Sequence, residues 1–112
     1  MSWKPFDRGK SIGKIDSEKG VIIKDKELQD SARITLAENC KTAPFAITCG
    51  VYGWMVHTRF CNSKDEALRD FELMKNALKD IVTSLPIQNG PESKNALQTI
   101  IEKISSFVDG FP

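Results

Sequence analysis

The chain has 112 residues, enough for one domain with a real core. Its 40% hydrophobic and 28% charged residues suit a globular protein rather than a disordered or membrane-embedded one. Lys and Arg number 16 against 15 Asp and Glu, and a net charge of +1 supplies no global field for nucleic acid or an anionic membrane. No run approaches the roughly 18 apolar residues of a membrane helix, and the start has no stretch of signal-peptide type.

The N-terminal residues 1–9 read as an arm without a strand or helix of its own. Over residues 1–14, Lys4, Arg8, Lys10 and Lys14 face only Asp7, a local excess that reads as solubilising. Within the arm, "WKPF" carries Trp3 and Phe6, which either fold over an open sheet face or wait for a partner. "KSIGKI" (10–15) is a weak strand candidate, "DSEKG" (16–20) a turn in which Gly20 can take a positive φ, and "VIIKD" (21–25) a strand.

"ARITLAE" (32–38) alternates cleanly, with Ala32, Ile34 and Leu36 on one face and Arg33, Thr35 and Ala37 on the other. After the polar "NCKTA", the stretches "PFAITCG" (44–50) and "WMVHTRF" (54–60) are two more strands. A two-residue loop over "GVYG", best Tyr52-Gly53, joins them as a hairpin. That register puts Phe45, Ile47 and Cys49 on a core face with Trp54, Val56, Thr58 and Phe60. Ala46, Thr48, Met55, His57, Arg59 and Cys61 fall on the far face. A three-residue loop setting Thr48 opposite Val56 scatters the apolar set and is rejected, since one residue of slip turns every side chain over.

From residue 63 the period becomes helical. Ser63 and Glu66 form a capping box. Ala67, Leu68, Phe71, Met74, Leu78, Ile81, Val82 and Leu85 make an apolar stripe, with Arg69, Asp70, Glu72, Lys75, Asn76 and Lys79 opposite. Pro86 stops this helix. A second opens at Pro91, carries Leu97, Ile100, Ile101, Ile104, Phe107 and Val108, and has Gly110 as its C-terminal cap. The whole reads as one α+β domain over residues 1–112. An antiparallel β-meander of about four to five strands (roughly 10–61) is followed by two α-helices (roughly 64–85 and 91–108) packed on one sheet face.

Residues 47–61 gather two of the three cysteines, the only histidine, the only tyrosine and one of the two tryptophans. The hairpin faces separate Cys49 from His57 and Cys61, and the last two lie about 13 Å apart along a strand. No zinc site or Cys–His nucleophile assembles from that arrangement. Cys49 reads as a small buried hydrophobe, and His57 as a sheet-face residue. "GKS" at Gly9–Ser11 matches the end of a phosphate-binding loop, yet the first-glycine position holds Lys4 and no buried strand precedes it. Asp65/Glu66 and Glu27/Asp30 read as a charged helix start and plain surface. The aromatic residues sit on the helix-covered face, which leaves too thin a platform for RNA.

No cofactor, metal, membrane or nucleic acid is therefore expected. An odd number of cysteines without C-x-x-C pairs fits free thiols in a reducing compartment, the cytoplasm. The expected function is that of a small non-catalytic protein-interaction or regulatory module whose partner is itself, as a homodimer, or another protein. The candidate contact residues are Met55, His57, Arg59, Tyr52, Trp3 and Phe6. The alternative is a small-molecule-binding or minor enzymatic domain with a pocket near His57, Arg59 and Tyr52.

Overall fold

A computed structural model describes residues 2–85 and 93–112. Five strands form one antiparallel sheet in chain order: β1 (Trp3–Pro5), β2 (Val21–Leu28), β3 (Ala32–Glu38), β4 (Phe45–Val51) and β5 (Met55–Cys61). Two helices follow, α1 (Lys64–Thr83) and α2 (Ser93–Gly110). This is the expected α+β meander with helices on one face. Among the described residues no helix is long and apolar enough to cross a membrane.

The fifth strand is not the expected one. Residues 10–13 turn, and Ile15 makes only a single bridge to Val21. The edge is filled instead from the arm: Trp3, Lys4 and Pro5 pair with Leu28, Glu27 and Lys26. The chain then folds back through Asp7, Arg8 and Gly9, whose φ angles are 49°, 56° and 81°, and this reversal lays Phe6 over the sheet. In the turn before β2, Lys19 and not Gly20 is left-handed (φ 64°). The Asp16 carboxylate holds that turn by accepting from the backbone N–H of Glu18 (3.0 Å) and Gly20 (3.1 Å). Position 20 needs glycine for space: a Cβ there would collide with Cys40 Sγ and lie 2.8 Å from the Glu38 carbonyl.

The alternation of β3 is as read. Ala32, Ile34 and Leu36 enter the core with Leu28, Ile47, Cys49 and Val51, and α1 covers them with Ala67, Phe71, Met74, Leu78, Ile81 and Val82. Ser63 Oγ accepts the Glu66 N–H at 3.2 Å, whereas the Glu66 carboxylate turns to Arg59, so only half of the capping box forms. Asp70, expected on the wet side of α1, is buried. The expected stop at Pro86 and start at Pro91 lie outside the described residues. Gly110 continues α2 in helical conformation rather than capping it in a left-handed one. From α2, Ile100 and Phe107 are buried, while Leu97, Ile101 and Val108 remain exposed.

The hairpin differs most. The loop has three residues, Tyr52-Gly53-Trp54, and β4 pairs with β5 as Val51↔Met55, Cys49↔His57, Ile47↔Arg59 and Phe45↔Cys61. The Trp54 N–H closes a turn on the Val51 carbonyl (2.9 Å), with Gly53 at φ 82°, the third turn position that calls for glycine. Every side chain of β5 is thus on the opposite face from the one expected. Met55, His57, Arg59 and Cys61 face the helices with Cys49, while Val56, Thr58 and Phe60 share the open face with Ala46, Thr48 and Ala37.

A candidate binding face on the open side of the sheet

The helix-facing residues of β5 are occupied by the fold itself. His57 Nε2 donates to the Phe111 carbonyl, and its ring meets Phe107 edge-on at 6.1 Å. The Arg59 Nε donates to Asp70 (2.9 Å) and Nη1 to the Pro112 carbonyl (3.2 Å), and Nη2 lies 3.5 Å from Glu66. Burial alone would lower the Arg59 pKa, but the hydrogen bond and charge of Asp70 outweigh it and hold the proton more firmly than usual. The ligand atoms of Cys61, Glu66 and Asp70 lie within 4.8 Å of one another, a spacing that would suit a cation. The Arg59 guanidinium already supplies that charge. Met55 packs half-buried against the core.

Cys49 and His57, read as lying on opposite faces, are direct cross-strand partners. They still make no nucleophilic pair. His57 is turned to Phe111, and burial pushes the Cys49 thiol up to about 12, so no thiolate is available near neutrality. Cys61 and Cys40 are also raised, each chiefly by burial. Because the folded chain holds the Cys49 proton more tightly than the unfolded one, its contribution to stability is complete below pH 9.0 and is lost towards about 12. With Ellman's reagent near neutral pH we expect at most one of the three free thiols, the half-buried Cys40, to react in the folded protein, and all three in denaturant. Rapid reaction of two thiols without denaturant would refute this.

On the open face a β-bulge decides the chemistry. Between Ile22 and Lys24 the β2–β3 register shifts by one, so Ile22 opposes Ala37 while Lys24 opposes Leu36 and Asp25 opposes Thr35. Without the extra residue Asp25 would oppose Ile34 and point at the core. The bulge instead places its carboxylate beside Arg33 and Thr35. Arg33 Nε and Nη2 donate to it at 3.0 and 2.7 Å, and the Thr35 hydroxyl donates at 3.0 Å. The Asp25 side chain is 0% exposed, and this three-fold satisfaction is what lets a carboxylate lie there. Phe6 stacks on the guanidinium, 3.6 Å from its carbon to the ring centre.

Beside this network a hollow of about 570 Å³ opens towards the hairpin. Its lining includes Arg33, Thr35, Thr48, Gly50, Trp54 and Val56. A second hollow of about 380 Å³ lies beneath the arm against Phe6, Ser11 and Ile22, and the two share Arg33, Thr35 and Thr48. Tyr52 borders the first hollow, and its hydroxyl donates to Glu27 at 3.0 Å. Partial burial and that hydrogen bond push its ionisation up to about 12.

The six contact residues expected from sequence are therefore dispersed. Tyr52 and Phe6 border the open-face cleft; His57, Arg59 and Met55 lie on the other side of the sheet; Trp3 packs half-buried against the core from β1. Sequence reasoning missed Asp25, Val56 and Phe60 as members of the open face, and placed Arg33 there without taking it for a site residue. For Arg33 the signal was present in the "ARITLAE" alternation, which already put it beside Thr35; for Asp25 the bulge hid it.

Comparison with models of known protein families, with curated proteins and with solved structures finds no match to this chain.

Proposed function

We propose that this protein is a non-catalytic interaction module that assembles with a second copy of itself through β5. The observation that carries this reading is the contrast between the two sheet edges. Unpaired edges invite another strand, and proteins normally blunt them with short strands, Lys or Pro. The β1 edge is three residues long and holds Lys4 and Pro5. The β5 edge is seven residues long, Met55–Cys61, without Lys or Pro. Among the described residues no backbone hydrogen bond reaches its outer side. Beside it Val56 is 82% and Phe60 41% exposed.

The sequence of β5 is also self-complementary. An antiparallel pair with Thr58 on the two-fold axis sets Val56 against the second copy's Phe60 and Phe60 against its Val56. Two exposed apolar residues per chain are then buried while the backbone bonds continue the sheet. Three free thiols suit assembly in a reducing compartment, the cytoplasm.

Sedimentation velocity over a concentration series tests the reading. Wild type is expected to dimerise, and Val56→Glu to weaken the dimer at least about tenfold, since each introduced carboxylate would be desolvated against the second copy's Phe60. Ile101→Glu, on the exposed side of α2, is expected to leave it intact. A monomeric wild type at roughly 100 μM, or a dimer lost with Ile101→Glu but kept with Val56→Glu, would sink this assignment.

A further inference from the structure

We propose that the open-face cleft binds a small, uncharged molecule with an apolar body and a carbonyl-type acceptor, which docks against Arg33. This site shares Val56 with the proposed β5 joint, but its polar anchor, Arg33, lies on β3, and the proposal does not depend on self-assembly. Its main hollow of about 570 Å³ falls in the range of small-molecule sites, roughly 300–1,000 Å³. Trp54 and Val56 provide apolar walls, and Gly50 leaves the sheet floor open between them. Thr35 and Thr48 place hydroxyl-bearing side chains where the two hollows meet.

Arg33 gives the site its direction. A guanidinium has five N–H donors. Asp25 takes one from Nε and one from Nη2, and among the described residues no acceptor is bonded to Nη1. The group is immobilised in its plane by the carboxylate and against its face by Phe6. Its remaining donors are therefore held in place before a ligand arrives, which removes most of the ordering cost of binding.

Charge selects a neutral partner. Asp25 already balances Arg33, and Glu27 is paired across from it on β2, so a carboxylate would meet no net positive field. A carbonyl oxygen accepts the same N–H donors without that penalty. The Tyr52 hydroxyl, engaged by Glu27, adds no further anion-binding donor.

The experiment is a fluorescence titration with N-phenyl-1-naphthylamine, a neutral apolar probe, followed by displacement with benzamide and with benzoate, which share a ring and differ in charge. Wild type is expected to bind the probe, and benzamide to displace it at about a tenfold lower concentration than benzoate. Thr48→Phe, which fills the junction of the two hollows with a residue that suits a strand, is expected to abolish probe binding. Arg33→Lys keeps the charge but loses the planar fork, and is expected to erase the preference for benzamide. Circular dichroism reports whether each variant is folded; if Thr48→Phe is not, the benzamide–benzoate ratio in wild type and Arg33→Lys decides. No probe binding by wild type, equal or better displacement by benzoate, or an unchanged ratio in Arg33→Lys would each overturn the proposal, as would probe binding retained by folded Thr48→Phe.

Discussion

Arg33→Ala is expected to destabilise the protein by about 3–5 kcal/mol, because it strands a carboxylate that no other cation pairs with among the described residues. The Asp25 side chain is 0% exposed, whereas that of Arg33 is 35% exposed. The asymmetry matters. Removing the arginine leaves a buried charge with Thr35 as its only remaining side-chain donor among the described residues. Removing the carboxylate leaves a guanidinium that water can still reach. Asp25→Ala should therefore cost less, about 2 kcal/mol, mostly from the lost hydrogen bonds. The double variant should cost clearly less than the two single losses added together, since the second change removes the group that the first left unpaired. Urea unfolding followed by circular dichroism reads all three. A cost below about 1 kcal/mol for Arg33→Ala would mean that water reaches Asp25 and the buried pair is not as described.

Arg59→Ala is the second large effect, expected at about 3 kcal/mol. Arg59 is 20% exposed at its side chain and Asp70 only 7%. The arginine also draws in Glu66 and the Pro112 carbonyl. Without it two carboxylates on adjacent turns of α1 would face each other across a space that lost its cation. Arg69, which also approaches Asp70 at 3.5 Å, is 70% exposed and cannot replace it: exposed pairs of this kind contribute about 0–1 kcal/mol. Arg69→Ala is thus the internal control, with an expected change under about 0.5 kcal/mol. Equal losses for the two variants would show that Arg59 does not act through the buried pair.

Arg59 also explains why the hairpin could not be oriented from its sequence. Strand β5 has apolar or buriable residues at both parities. Val56 and Phe60 argue for one face; Met55 and Cys61 argue for the other. Period-2 patterning is decisive only where one face is polar, as it is in "ARITLAE" with Arg33 and Thr35 opposite Ile34 and Leu36. In β5 the choice falls to groups brought from elsewhere. Asp70 of α1 needs the Arg59 cation, Phe107 meets the ring of His57 edge-on, and the Phe111 carbonyl accepts its N–H. With that orientation set, Val56 and Phe60 are left on the open side. The three-residue loop, with glycine at its left-handed position, supplies the matching register.

Local sequence alone determined the class of the fold, the faces of β3, the apolar stripe of α1 and its serine cap. In each of these the signal is a repeat or a pair within a few residues, and burial of one consistent face is enough to decide it. Tertiary structure alone decided which side of the sheet β5 shows, that Asp70 is buried, that Trp3–Pro5 rather than residues 10–15 forms the fifth strand, and that a bulge aims Asp25 at Arg33. Those outcomes depend on charges and rings meeting across 8 to 54 positions of chain, as Asp25 meets Arg33, Arg59 meets Asp70 and His57 meets Phe111. No periodicity within a strand records such a meeting, because the energy that selects it arises only when the two segments are already packed together.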